Sequence, residues 1–195
     1  FSRNFRSDNL MMLILLALIS FNLHAEYGVF QGERSHPWPM NVESVGHNMQ
    51  SYQNYGSSPY WHDGLDIRAK KNSPIYSSTS GEVVNIENYS YGALYWEVAV
   101  RDEEGLVWKY HHVDKGSIPP SLKLGTKVKA GDYLGDIVSW PNSSHGEMFH
   151  HLHLLVVDKN GKYINPFLLL KKLEDRKAPI IHRIGLLKNH KILES

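Results

Sequence analysis

Apolar and polar side chains alternate along several short runs of the chain, the period-two pattern of strands with one packed face and one open face. Trp96, Val98 and Val100 interleave with Glu97, Ala99 and Arg101, and Asp102-Glu103-Glu104-Gly105 then turns the chain into Leu106-Val107-Trp108-Lys109-Tyr110. That pair predicts a β-hairpin. Upstream, Val83, Val84 and Ile86 follow Gly81 as a further strand. Downstream, the run from Val128 to Val138 sets a glycine-centred turn between strand-like residues. From His151 to Val157, Leu152, Leu154 and Val156 share one face while His151, His153 and Leu155 share the other, and Asp158-Lys159-Asn160-Gly161 closes a second hairpin. Pro166 suits the first turn of a short helix through Phe167 to Lys172. Many short strands with turns between them predict an all-β domain, a compact antiparallel sandwich or barrel-like fold ending in that helix.

The flanks read differently. Arg3 and Arg6 precede an apolar stretch from Leu10 to Phe21, and Leu23-His24-Ala25 offers a small residue for cleavage. About a dozen apolar residues fall short of the roughly 20 that span a membrane, so residues 1–25 predict an export signal helix. The expected location is periplasm, cell envelope or exterior, with no stable membrane partner once the signal is removed. Residues 26–60 show no period and are rich in Pro, Gly, Ser, Asn and aromatics, which predicts an ordered loop. Residues 61–173 form the expected domain, and 174–195 either begin another module or trail as a tail. A chain opening on Phe1 rather than Met is expected to be a piece of a longer product.

Its 195 residues are enough to bury a core. Basic and acidic side chains number 21 and 20, so nothing favours nucleic acid or an anionic membrane as partner. Cysteine is absent, which excludes disulfides and thiolate metal sites and leaves nitrogen and oxygen as the available ligands. Twelve histidines are the compositional outlier.

Two histidine motifs give that excess a meaning: His62-Asp63-Gly64-Leu65-Asp66 and His151-Leu152-His153. A catalytic zinc takes three protein ligands from imidazole and carboxylate and keeps one position for water. Neither motif alone supplies three; together they do, with one histidine to spare. Strand alternation aims His151 and His153 at the same opening about 6–7 Å apart, so one reaches the metal while its neighbour reaches the water. Asp66 faces away from Leu65 and Ile67, which lets it converge with His62. A lone His-x-x-x-Asp is more often a surface pair or turn hydrogen bond; the weight rests on the two motifs together.

His62-x-x-x-Asp66, Tyr110-x-His112, Val128-x-Ala130-Gly131-Asp132-x-Leu134-Gly135 and His151-Leu152-His153, in that order, resemble the lysostaphin/LytM-type zinc metallopeptidases, which cut peptide bonds in bacterial peptidoglycan. The resemblance covers roughly Trp61 to Leu170. It implies one Zn2+ in a groove of an antiparallel β fold, with His62, Asp66 and His153 as metal ligands and His112 and His151 as catalytic histidines. Tyr110-His111-His112 offers two candidates for the third motif. Strand parity sets His112 with Trp108 and Tyr110 and His111 with Val107 and Lys109, and the family pattern selects His112. His111 is expected to be a solvated strand histidine, as are His24, His36, His145, His182 and His190; His47 and His150 stay open.

Ser143-Ser144-His145-Gly146-Glu147-Met148-Phe149-His150 replaces the glycine- and serine-rich approach common in relatives. The aromatics Tyr52, Tyr55, Tyr60 and Trp61 either stack on a ligand or pack their loop, and packing is the expectation. The function expected is an exported zinc endopeptidase acting on peptidoglycan peptides, whose activity falls on acidification. Two other readings compete: a catalytically inactive relative that binds the wall or activates a hydrolase, and a histidine phosphocarrier of similar fold. All five site residues are present, which argues against the first; the export signal and Asp66 argue against the second.

Overall fold

The computed structural model describes residues 35–42, 44–53, 59–90, 92, 94–140 and 150–174, together with the backbone of two strands within 186–193. The expected signal, Tyr55, the 143–149 approach and His24, His145, His182 and His190 lie outside the described residues. In chain order the strands are β1 (Ser44–Val45), β2 (Tyr52–Gln53), β3 (Tyr60–Trp61), β4 (Leu65–Arg68), β5 (Pro74–Tyr76), β6 (Gly81–Asn88) and β7 (Trp96–Asp102). They continue as β8 (Val107–Val113), β9 (Lys127–Val128), β10 (Tyr133–Asp136), β11 (His151–Val157), β12 (Tyr163–Ile164), β13 (Leu186–Lys188) and β14 (Lys191–Leu193).

The main sheet is antiparallel throughout and runs β1-β4-β11-β8-β7-β6-β9, with β12 pairing with the far end of β11 where β4 has stopped. The all-β antiparallel expectation is therefore met. Both predicted hairpins form. At the first, Gly105 takes a φ of 86°, and the Asp102 carboxylate accepts from the backbone N–H of Glu104 and Leu106 and from Trp108 Nε1. At the second, Gly161 takes a φ of 76° and Asp158 accepts from the N–H of Asn160 and Lys162. Short Asp side chains bonding ahead to the backbone make both turns locally stable.

One face of the sheet packs the core. Leu65, Ile67, Val98, Val100, Trp108, Tyr110, Leu152, Leu154 and Val156 are fully buried. Each buried aliphatic side chain there contributes roughly 1.5–3 kcal/mol relative to exposure. The residues between them on β4, β11, β8 and β7 turn to the other face, so the apolar period that forms the core also lifts a polar row into an open cleft.

Two expectations are corrected. The helix from Pro166 is a single 3-10 turn, Pro166–Leu168, capped by the Asn165 side chain accepting from Phe167 N–H. It ends there because Leu169 and Leu170 are drawn into the core and the chain extends to bridge His36, whose carbonyl accepts from Lys171 N–H. The 26–60 region, read as loop, contains β1 and β2 and the first residue of β3, Tyr60; β1 borders β4, and β2 pairs with β3 through Tyr52 with Trp61 and Gln53 with Tyr60. Strands of two residues carry no readable period.

Candidate metal centre and cleft

Asp66 on β4 lies opposite His153 on β11, His153 opposite His111 on β8, and His111 opposite Glu97 on β7. Cross-strand neighbours on one face approach within about 5 Å, so the register alone assembles a carboxylate–imidazole–imidazole–carboxylate row. His62 joins it from the segment before β4, held by its N–H to the Ser51 carbonyl.

Three atoms then converge. His62 Nε2 and Asp66 Oδ1 are 3.1 Å apart, His62 Nε2 and His153 Nδ1 3.0 Å, and His153 Nδ1 and Asp66 Oδ1 2.9 Å. Donors on a tetrahedral zinc with bonds of about 2.0–2.1 Å stand about 3.3 Å apart, so the triangle is close to ligand size before any adjustment. The far side of each group explains its orientation. His62 Nδ1 lies 3.1 Å from the Asn48 carbonyl, which can only accept, so Nδ1 carries a proton and Nε2 is the nitrogen turned to the triangle. His153 Nε2 donates to Asp63 Oδ1 at 3.3 Å, and His47 Nδ1 donates to the outer oxygen of Asp66 at 3.1 Å. Partners of this kind fix the tautomer and aim of metal ligands.

So electron-rich a cluster binds a proton or a metal cation. Burial opposes charge on His153, but hydrogen bonds and charge from Asp63 and Asp66 outweigh it and raise its pKa to about 9. Burial likewise opposes the Asp66 carboxylate, and its bonds to His153 and His62 overcome that and hold it well below the usual range. Gly64 is part of the fit: a Cβ there would stand 2.6 Å from the Leu154 carbonyl and 2.8 Å from His153 Nε2. The nitrogen and oxygen donor set suits Zn2+, and His62, Asp66 and His153 are the residues that would hold it.

The next two histidines owe their placement to a bulge. Trp96 pairs with Val113 and Glu97 with His111, so β8 spends one extra residue, His112, which takes a φ of 64°. A bulge re-aims side chains. Period-two alternation would put His112 with buried Trp108 and Tyr110; the bulge rotates it out of the core, and His111 and His112 both line the cleft. His112 Nδ1 donates to the Leu94 carbonyl at 2.8 Å, with the Tyr89 hydroxyl 3.2 Å away, which leaves Nε2 as a lone-pair acceptor. Burial, then the nearby charge of His151, pushes the His112 pKa down to about 3 against the pull of the Leu94 carbonyl. His151 stacks on Trp140 at 5.7 Å, meets His112 edge to face at 4.8 Å, and its Nε2 is 3.9 Å from Asp66 Oδ1.

His111 is not solvated, contrary to expectation. It is buried, stacks on Tyr89 at 4.0 Å, and its Nε2 donates to Glu97 Oε2 at 2.6 Å. Glu97 also accepts from Asn85 and Lys109; burial opposes its charge, but His111, Asn85 and Lys109 outweigh it and hold the pKa to about 2. His36 is half-buried, against Trp108, with Nδ1 on the Ser78 carbonyl. His150 is buried and accepts from Trp140 N–H. The cleft over the row has a volume of about 580 Å³.

Residues 60–166 match the family model of peptidase family M23. The chain belongs to that family. The M23 match contains all five expected site residues and also Glu97 and His111. Endolysin 2638A of Staphylococcus phage 2638A is 28% identical over 103 residues, 52% of this chain and 20% of the endolysin. Cell division protein DipM of Caulobacter vibrioides is 26% identical over 150 residues, 74% of this chain and 22% of DipM. The chain thus spans about a fifth of the length of these curated relatives. Among solved structures, the catalytic domain of the antimicrobial peptidase lysostaphin from Staphylococcus simulans superposes with a TM-score of 0.50 at 22% identity, over 64% of this chain and 89% of that domain. That likeness is one of fold.

Proposed function

We propose that this M23 chain is an exported zinc metalloendopeptidase that hydrolyses peptide bonds in bacterial peptidoglycan, with His62, Asp66 and His153 as metal ligands and His112 and His151 as catalytic residues. The observation that carries the reading is the triangle of donors within 3.1 Å of one another, each braced from behind by Asn48, His47 or Asp63. Membership of peptidase family M23 and similarity to a phage endolysin support a wall peptide as substrate.

Bound zinc supplies acidity to a water and Lewis-acid pull on a carbonyl. The side chains divide the remaining work. His112, neutral and with Nε2 free, accepts the proton of the attacking water, since Leu94 pins its other nitrogen as a donor. His151, clamped between Trp140 and His112, donates to the oxygen that gains charge as the carbonyl carbon turns tetrahedral. The proton taken by His112 then passes to the departing amine, which completes hydrolysis without net proton change.

The test is metal content together with peptide release from isolated peptidoglycan, with and without chelator, for wild type and His153→Ala. About one zinc per chain and chelator-sensitive release, both lost in the variant, are expected. Zinc binding without release would overturn the enzyme reading in favour of a wall-binding protein.

A further inference from the structure

Arg68 is the one permanent cation lining the cleft among the described residues. It follows Asp66 by two positions on β4, so both side chains share the cleft face about 6–7 Å apart, and its register partner on β11 is His151. No hydrogen bond or ion pair ties its guanidinium among the described residues. Its stem lies across bare backbone: a Cβ on Gly46 would stand 3.0 Å from Arg68 Nε and 3.4 Å from Cγ. The two cleft carboxylates are already engaged, Asp63 by His153 and Asp66 by His47, His62 and His153. Glu97 is covered by His111. With a divalent ion at the triangle, the cleft carries net positive charge, concentrated at Arg68.

We propose that Arg68 is a specificity-determining subsite that binds a carboxylate of the substrate peptide one or two residues from the bond cut. The proposal rests on the peptidase reading for its substrate but not for its test. A guanidinium presents parallel N–H donors that match a carboxylate in two charge-assisted bonds, and an extended peptide advances about 3.3 Å per residue, which sets the spacing from the metal centre. Loss of one hydrogen bond to a charged group costs about tenfold or more in affinity.

The experiment is calorimetric binding of two synthetic stem peptides, identical except that one has its carboxylates free and the other has all of them as carboxamides, to the zinc-loaded full chain. Wild type should bind the free acid about tenfold more tightly. Arg68→Met should bind both alike, and Arg68→Lys should keep part of the preference; Arg68→Gln replaces Arg68→Met if the latter fails to fold. Equal binding by wild type, binding of neither peptide, or a preference that survives in Arg68→Met would overturn the proposal, the last pointing to the metal as the carboxylate's partner. Release of peptides from peptidoglycan without the preference sinks Arg68 alone, whereas the preference without any hydrolysis sinks the peptidase alone.

Discussion

Removing the Asp63 carboxylate isolates the bracing of one ligand without touching the ligand itself. Asp63 Oδ1 holds His153 Nε2 at 3.3 Å, and this bond keeps Nδ1 aimed at the triangle. Partners behind a metal ligand are worth about ten- to hundredfold in metal affinity. The Asp63 side chain is 47% exposed, so water takes over part of its role, and the bond is long. The lower end therefore applies: Asp63→Ala should weaken zinc binding about tenfold, or about 1.4 kcal/mol. Asp63→Asn keeps an acceptor oxygen but not the charge and should fall between variant and wild type. Competition titration against a chromophoric chelator at constant pH reads both. Affinity in Asp63→Ala within twofold of wild type would refute the idea that this carboxylate orients His153.

Further outcomes follow from the same geometry. Zinc must displace the proton that gives metal-free His153 a pKa of about 9, so affinity should climb about tenfold per pH unit below that value; a flat profile between pH 6 and 8 contradicts it. The raised pKa also stabilises the metal-free fold fully below about pH 6.5 and is lost as pH rises through about 9, so its thermal midpoint should drop over that window in scanning fluorimetry. Gly64→Ala pushes a methyl into the Leu154 carbonyl and His153 Nε2 and should lower zinc content below one per chain, read by elemental analysis. Glu97→Ala strands Lys109 and His111; Lys109 is a third exposed and can reach water, so a loss near 3 kcal/mol in urea unfolding is expected, and a loss under 1 kcal/mol contradicts the buried pairing.

How much of this can be read from residues alone depends on the range of the cause. Leu152, Leu154 and Val156 alternate with His151 and His153, and the structure buries the first set and opens the second to the cleft, because strand geometry is local. Asp158 and Gly161 mark their turn for the same reason. His112 is different. Parity assigns it to the core with Trp108 and Tyr110, and only a register slip between β7 and β8, a property of two strands together, turns it to the cleft. The same alternation puts His111 on the open face, where Tyr89 and Glu97 bury it; neither partner is a sequence neighbour. His47 reaches Asp66 from 19 residues away, with no local sign of it. Asp63 sits inside the first motif and its acidity beside a histidine is a signal that could have found it. The expected acid limb of activity also shifts its origin: His112, with a pKa of about 3, stays neutral, so protons competing at His153 govern it.

On the proposed assignment of roles, the extra residue in β8 separates gripping from cutting. Asp66, His153 and the Glu97–His111 pair sit in plain register and do not depend on it; His112 does. On those roles, deleting that one position would iron the strand flat and take the proton acceptor away with it, while the row that would hold the metal stayed whole. A lineage carrying such a deletion would turn scissors into a clasp in a single step.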